Sequence, residues 1–347
     1  MLCANLGRVD EVGYDEQYQP VTFAVGELYP SVRVQRMAVK PPTMPQVGTL
    51  VAILREHPDA AVQIVRQGGL GDVCMLVPVL RALQQKFPEA GFEIKTRWEN
   101  PFAADPTLRF RRLPVTHRVV LDGLLELDHT GNPEFSHSQR IDIYARALGV
   151  HLEPPVSWDL ELDDDDERVA DEVVQTSAQK TIAVQLKGHA PQRSLGPRMF
   201  GPLVDGLRAL GRLLVLDDEK DFGPSGDGIV NLAGKTTPRQ AIAILKRCDA
   251  ALTMESGVFW LAHLAKIPTV CFFGPTRPSE RLLYHPLYPT RVRAVVMNEL
   301  LNPVCPPCWG NGGACDAWNK KVARCMNEPD PNLVTSLVTK ALREVME

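Results

Sequence analysis

The stretch VQIVRQGGLGDVCMLVPVLRALQQKFP, Val62–Pro88, decides the fold of this chain. Val62, Ile64 and Val65 are apolar and β-branched, the composition of a strand buried in a parallel sheet. Gly68, Gly69 and Gly71 let the backbone turn tightly and let a ligand come close. Behind them Val73, Leu76, Val77, Leu80 and Leu83 recur at helical spacing. Asp72 stands at the junction, where the turn meets the helix. Open α/β sheets bind ligands at such turns, at the C-terminal ends of their strands. Two readings fit Asp72. One is a helix N-cap whose carboxylate accepts backbone N–H bonds; the other is an acid that does chemistry. One glycine-rich turn does not separate them. The spacing GGLGD is not the dinucleotide fingerprint G-x-G-x-x-G, and no acid ends an obvious second strand.

At 347 residues the chain is long enough for two domains. With 44% hydrophobic and 23% charged residues it has the composition of a soluble globular protein. A net charge of -4 gives the whole molecule no attraction to nucleic acid, so no nucleic-acid partner is expected. No apolar run is long enough to span a bilayer. The first residues, MLCANLGRVDEVGYDEQ, contain no apolar signal core, which predicts a cytoplasmic protein. The eight cysteines are then reduced thiols rather than a disulfide framework.

Residues 1–60 form an extension of mixed character, expected to pack on the first domain. Short strands fit Val21–Val25 and Val32–Val34, Pro41, Pro42 and Pro45 exclude a helix there, and Thr49–Glu56 reads as a short helix. Residues 61–160 continue as an α/β domain, with strands at Phe92–Thr96 and Val119–Leu121 and a helix at Arg140–Leu148. The segment EPPVSWDLELDDDDE, Glu153–Glu167, joins prolines to an acidic run, as an exposed linker into a helix does. The run Asp163–Asp166 reads as a solvated helix start favoured by the dipole rather than as a metal site. Residues 161–330 repeat the rhythm. Strands are expected at Thr181–Leu186, Leu213–Leu216, Ala250–Thr253 and Thr269–Phe273, with helices at Arg198–Leu210, Pro238–Cys248 and Gly257–Ala265. Alternation of this kind predicts a parallel sheet with right-handed crossovers in each domain, and a cleft between the strand ends of the two. Residues 331–347 form a last helix, about Pro331–Val345, with Asp330 as cap and Pro331 in the first position.

A second constellation, ALTMESGVFWLAHLAKIPTVCFFGPT, Ala251–Thr276, mirrors the first. A strand ends at Met254, Glu255, Ser256 and Gly257 make the turn, and a helix follows. Its N-terminus carries unpaired N–H groups that suit a phosphate. Helix capping by Glu255 or Ser256 accounts for the same residues. The next strand ends in Gly274-Pro275-Thr276, a second turn at the same edge.

Together these segments resemble glycosyltransferase family 9, the heptosyltransferases. RQGGLGDVCMLVPVLRALQQKFP is similar to the family's opening motif. ESGVFWLAHLAKIPTVCFFGPT is similar to its C-terminal motif, D-S/T-G-x-x-H-L-A-A-A-x-x-x-P-T-V-x-L-F-G-P-T. Order and spacing agree from residue 62 to about 345; the first 60 residues are not covered. The resemblance implies a GT-B fold: two Rossmann-like domains with parallel sheets facing a central cleft. It implies an inverting transfer of a sugar, heptose from ADP-heptose, to a hydroxyl of a lipopolysaccharide-type glycan. It further implies chemistry without a catalytic cofactor or metal, in a cytoplasmic enzyme with peripheral contact to the inner membrane. A protein acceptor of the autotransporter type is the alternative. A non-catalytic nucleotide-sugar-binding or assembly protein on the same scaffold is another.

In this family Asp72 corresponds to the proposed general base. A sugar hydroxyl is a poor nucleophile, so a carboxylate within hydrogen-bond reach must take its proton. The departing diphosphate gathers charge that helix N–H groups and a cation stabilise. By position, Gln185 and Lys187, at the end of the second domain's first strand, face the donor phosphates. Arg193 and Ser194 lie where the family carries a basic residue before W-P, here Leu195-Gly196-Pro197; Arg193 reads equally as a surface cation. Glu219 is a candidate for ribose hydroxyls or a solvated loop acid. Glu255, Ser256 and Gly257 match the motif turn, with Glu in place of the family's Asp. Trp260 replaces a phosphate-contacting His and reads as core or pocket wall, and His263, one turn on, is no substitute for that contact.

Cys305, Cys308, Cys315 and Cys325 give C-x2-C-x6-C-x9-C in a loop rich in glycine and proline, a ligand set for structural zinc or iron. A metal-binding cysteine finger occurs in the related autotransporter heptosyltransferases. Four merely reduced thiols, or a disulfide formed on purification, fit the same pattern. Cys3, Cys74, Cys248 and Cys271 are scattered and read as packing residues. Arg97, Arg109, Arg111, Arg112 and Arg118 concentrate cations in the first domain, suiting a phosphorylated acceptor or an ordinary charged surface. His129 and His137 receive no role.

Overall fold

In the computed structural model the chain divides into two compact units, Met1–Glu161 and Leu162–Glu347. The structure describes the strand backbone at 2–5, 11–14, 20–23, 28–30 and 33–34. It further describes residues 49–98, 101–102, 104–105, 116–121, 140–153, 156–174, 179–220, 222–276, 278, 281, 291–301, 304–305 and 322–347.

The first unit begins with β1 (Leu2–Asn5), β2 (Glu11–Tyr14), β3 (Pro20–Phe23), β4 (Leu28–Pro30) and β5 (Arg33–Val34). It continues with α1 (Thr49–Glu56), β6 (Ala61–Val65), α2 (Leu70–Cys74), α3 (Leu76–Lys86), β7 (Gly91–Lys95), β8 (His117–Val120) and α4 (Arg140–Ala147). Its main sheet has the order β4-β1-β8-β6-β7. β6 lies parallel to β7 on one side and to β8 on the other. The run from Ala61 to Ile64 is therefore buried, as a strand covered on both faces requires. β1 belongs to this same sheet, parallel to β8 and antiparallel to β4. Four residues, LCAN, carry too little periodicity to announce that. β2, β3 and β5 make a separate antiparallel sheet. Leu76, Val77, Val79, Leu80 and Leu83 form the buried stripe of α3.

The second unit contains α5 (Asp164–Val173), β9 (Thr181–Val184), α6 (Phe200–Arg208), β10 (Arg212–Val215), β11 (Ile229–Asn231) and α7 (Pro238–Lys246). These are followed by β12 (Ala250–Met254), α8 (Gly257–Ala265), β13 (Thr269–Phe273), β14 (Val292–Val296), α9 (Arg324–Asn327) and α10 (Pro331–Met346). The sheet is parallel throughout, in the order β11-β10-β9-β12-β13-β14. From β9 the chain winds outward to β10 and β11, then returns to β12 on the other side of β9. The winding reverses between β9 and β12, which makes their C-terminal ends a topological switch point. In the first unit the same reversal puts a switch point between β6 and β8.

Val334, Val338, Leu342 and Val345 line one face of α10 and pack into the core with Leu203, Leu207, Val270 and Phe272. The acidic run opens α5: Asp163 accepts the Asp166 amide at 2.9 Å, and Asp166 accepts Arg239 Nε from α7 at 2.8 Å. α7 starts with a capping box. Thr237 Oγ1 accepts the Gln240 amide at 3.2 Å, and Gln240 Oε1 accepts the Thr237 amide at 3.0 Å. Thr237→Ala is expected to destabilise the unit by about 1 kcal/mol in urea unfolding; an unchanged midpoint would show that the box adds nothing.

Candidate active site

In the first unit, β6 runs out into Arg66 and the glycine turn. Gly69 is the N-cap of α2, so Asp72 is the third helical residue rather than the cap. Its Oδ2 accepts the Gly69 amide at 3.0 Å and Arg66 Nη2 at 2.7 Å. Arg66 Nε donates to the Tyr144 hydroxyl at 2.8 Å, and Trp98 Nε1 to the Gly68 carbonyl at 2.8 Å. A Cβ at Gly68 would meet the Arg66 guanidinium, so the glycine leaves room for this close crossing. Asp72 thus does both things at once: it answers a helix-end donor and stands in an ion pair at a switch point. Arg66 and Tyr144 escaped the sequence reading; the only signal was a cation directly following a buried strand.

In the second unit the ends of β9 and β12 meet through side chains. Ser256 Oγ donates to Gln185 Oε1 at 2.6 Å, both residues being buried. Ser256 holds the N-cap position of α8 without capping it. The first N–H groups of this nine-residue helix therefore receive no side-chain cap from Ser256 and keep their capacity for an anion. Glu255 is the hub. Its Oε1 accepts Arg281 Nε at 3.0 Å, and its Oε2 accepts Arg193 Nη1 at 3.2 Å and the Thr276 hydroxyl at 3.3 Å. Arg193 Nη1 also donates to the Glu255 carbonyl at 3.1 Å. Arg281 is buried, whereas the Arg193 side chain is one-third exposed. One carboxylate thus holds two guanidinium groups, those of Arg281 and Arg193, beside the helix start. Arg281 and Thr276 carried no assignment from sequence.

Ser194 closes the loop after β9: its hydroxyl accepts the Gly188 amide at 3.2 Å and donates to the Gly188 carbonyl at 3.1 Å. Lys187 pairs with Glu219 and lies 5.2 Å from the Phe222 ring centre. The more deeply buried acid at the end of β10 is one the sequence did not single out. Asp217 is buried; its Oδ1 accepts the Glu219 amide at 3.1 Å, and its Oδ2 has no hydrogen-bond partner among the described residues. Burial, then the neighbouring Asp218, pushes its carboxyl up to about 8, against a weaker pull from Lys187.

Trp260 is buried, its ring 5.2 Å from Phe259 and 5.3 Å from His263, which places it in the core beneath the turn. Cys308 and Cys315 lie outside the described residues, as do Arg109, Arg111, Arg112, His129 and His137. Cys305 and Cys325 pack against one core cluster, and a Cβ at Gly274 would meet Cys325 Sγ at 3.0 Å, so Cys325 abuts the Gly274–Thr276 turn. No metal-holding group of His, Cys, Asp and Glu occurs among the described residues. Burial pushes the Cys74 and Cys271 thiols up, and that of Cys248 to about 12, in keeping with packing roles. Among the described residues no helix is long and apolar enough to cross a membrane.

Residues 142–299 match the model of glycosyltransferase family 9 (heptosyltransferase). A 50-residue stretch is 39% identical to lipooligosaccharide heptosyltransferase 2 of Haemophilus influenzae; the match spans 14% of this chain and 14% of that relative. Among solved structures, E. coli ADP-heptose lps heptosyltransferase II superposes with a TM-score of 0.55 at 15% identity, covering 82% of this chain and 99% of its own. TibC, a bacterial iron-containing dodecameric glycosyltransferase from enterotoxigenic E. coli, superposes with a TM-score of 0.61 at 16% identity, covering 98% of this chain and 94% of its own. A further TibC structure, in complex with ADP-D-beta-D-heptose, matches at 14% identity with a TM-score of 0.58, covering 99% of this chain and 96% of its own. At these identities the likeness is one of fold: α/β with parallel sheets, as in the GT-B heptosyltransferases.

A raised carboxyl pKa makes the fold favour the protonated form of Asp217. That stability is complete below the unfolded value near 3.8 and is lost as the pH rises through about 8. Asp217→Asn removes the loss. Its melting temperature is expected to gain on the wild type steadily from pH 4 to pH 8; a constant difference would show that Asp217 ionises freely.

Proposed function

We propose that this chain, which is glycosyltransferase family 9-like and heptosyltransferase-like, transfers a sugar with inversion from a nucleoside diphosphate donor, ADP-heptose first, to an acceptor hydroxyl. The observation that carries the reading is the second unit's switch point. There a helix N-terminus lacking its side-chain cap stands beside Arg193, and Glu255 holds Arg193 in place. The diphosphate binds at the start of α8. Arg193 and the helix N–H groups take up the charge that grows on it as the anomeric C–O bond breaks. Glu255 serves the donor through Arg193, since contacts within the unit engage both of its oxygens. Asp217 and Glu219, after β10, are the acids available to ribose hydroxyls. In the first unit Asp72 accepts the proton of the acceptor hydroxyl as its oxygen bonds to the anomeric carbon. The leaving group is the nucleoside diphosphate, and the reaction needs no cofactor.

The acceptor in the first reading is a lipopolysaccharide-type glycan, used in the cytoplasm at the face of the inner membrane. A protein acceptor is the second reading. TibC covers 98% of this chain, against 82% for heptosyltransferase II. A structural zinc or iron on Cys305, Cys308, Cys315 and Cys325 rests on their spacing and on the iron that TibC is described as containing.

The test incubates purified protein with ADP-heptose and other nucleotide-sugars, against a heptose-deficient lipooligosaccharide and an autotransporter passenger domain. One donor should release its diphosphate with one acceptor class, and Asp72→Asn should lower turnover by about 10²-fold or more. Full activity of that variant would remove Asp72 as the base. Metal analysis of the reduced chain should find about one zinc or iron per chain, and a metal-free, folded protein would refute the cysteine site.

A further inference from the structure

We infer that Arg66 is a positioning residue for the transfer: it fixes the orientation of the Asp72 carboxylate, and Tyr144 in turn fixes Arg66. The inference rests on the reading of Asp72 as general base and adds the residues that make it one. Helix capping does not explain them. The Gly69 amide already engages Asp72 Oδ2 at 3.0 Å, and that bond alone would serve the helix start. Yet a second donor, Arg66 Nη2, converges on the same oxygen at 2.7 Å. Arg66 is 7% exposed and Tyr144 is fully buried. Burying a guanidinium carries a large desolvation cost, and a buried pair gives no assured gain in stability over apolar packing. An arrangement of this cost at the end of β6, an interior strand beside the switch point, points to function.

The local chain is built around the crossing of Arg66. Gly68 has no side chain where the guanidinium passes. Trp98 donates to the Gly68 carbonyl at 2.8 Å and closes the turn from the β7 side, while the Tyr144 hydroxyl accepts Arg66 Nε at 2.8 Å from α4. Tyr144 thus holds the guanidinium, the Trp98-closed glycine turn leaves it room, and the guanidinium fixes the carboxylate, as proton transfer from a hydroxyl demands.

The test measures ADP release from ADP-heptose with the lipooligosaccharide acceptor, alongside ADP affinity by calorimetry and melting temperature. Arg66→Met is expected to lower kcat about 10²-fold, the scale of one misplaced general base. KM for ADP-heptose and the affinity for ADP stay unchanged. Arg66→Lys recovers a large part of the loss, and Tyr144→Phe shows a smaller loss of the same kind. In an Asp72→Asn background Arg66→Met lowers kcat no further, because both act on one proton transfer. Wild-type kcat in Arg66→Met, or losses that multiply with Asp72→Asn, would overturn the inference. Should Arg66→Met not fold, Tyr144→Phe decides, and an unchanged kcat there is equally fatal. An active Asp72→Asn would overturn the base itself; an inactive Asp72→Asn beside a fully active Arg66→Met would overturn only the role of Arg66.

Discussion

The buried carboxylate of Glu255, held between Arg281 and Arg193, is the contact on which the second unit's switch point depends. It stands one residue past β12, at the point where the winding of the sheet reverses. Arg281 is almost fully buried and its charge needs a partner there. Glu255 supplies it, and with its other oxygen holds Arg193, whose side chain reaches solvent. A glutamate has one methylene more than the aspartate usual in the related motif. In this chain that longer arm ends in contacts with two arginines and Thr276.

The first unit uses the same chemistry for another purpose. There the carboxylate is the proposed base and the arginine its support. Asp72 answers an amide at a helix start and a buried guanidinium, and the guanidinium answers a tyrosine. Both ion pairs stand on turns that follow central parallel strands, where the backbone is fixed by the sheet and the side chains project from its edge. In each unit a carboxylate is paired with an arginine beside the start of a helix.

Much of the fold was legible because central strands and amphipathic helices carry their period locally. α1, α8 and β13 have the bounds that their residues predict. β1 and β11 did not announce themselves, since three or four residues set no period. In the site, the turn residues Asp72, Glu255 and Ser256 could be read from their place after strands. Their partners could not. Tyr144 meets Arg66 across 78 residues of sequence, Ser256 meets Gln185 across 71, and Arg281 meets Glu255 across 26. Ser256 shows the limit best. Its type and position say helix cap, yet its hydroxyl donates to Gln185, and the helix start goes without that cap. Asp217 is the counterpart among acids: nothing local separates it from Asp218 and Glu219, and only the fold buries it.

The most direct measurement is the affinity of the chain for ADP by calorimetry, wild type against Arg193→Gln. Arg193 lies at the unit's edge with its side chain one-third exposed, so the variant should keep the wild-type melting temperature. If Glu255 holds Arg193 for a diphosphate, losing one charge-assisted contact should weaken ADP binding roughly tenfold or more. An unchanged affinity in the folded variant would contradict the account.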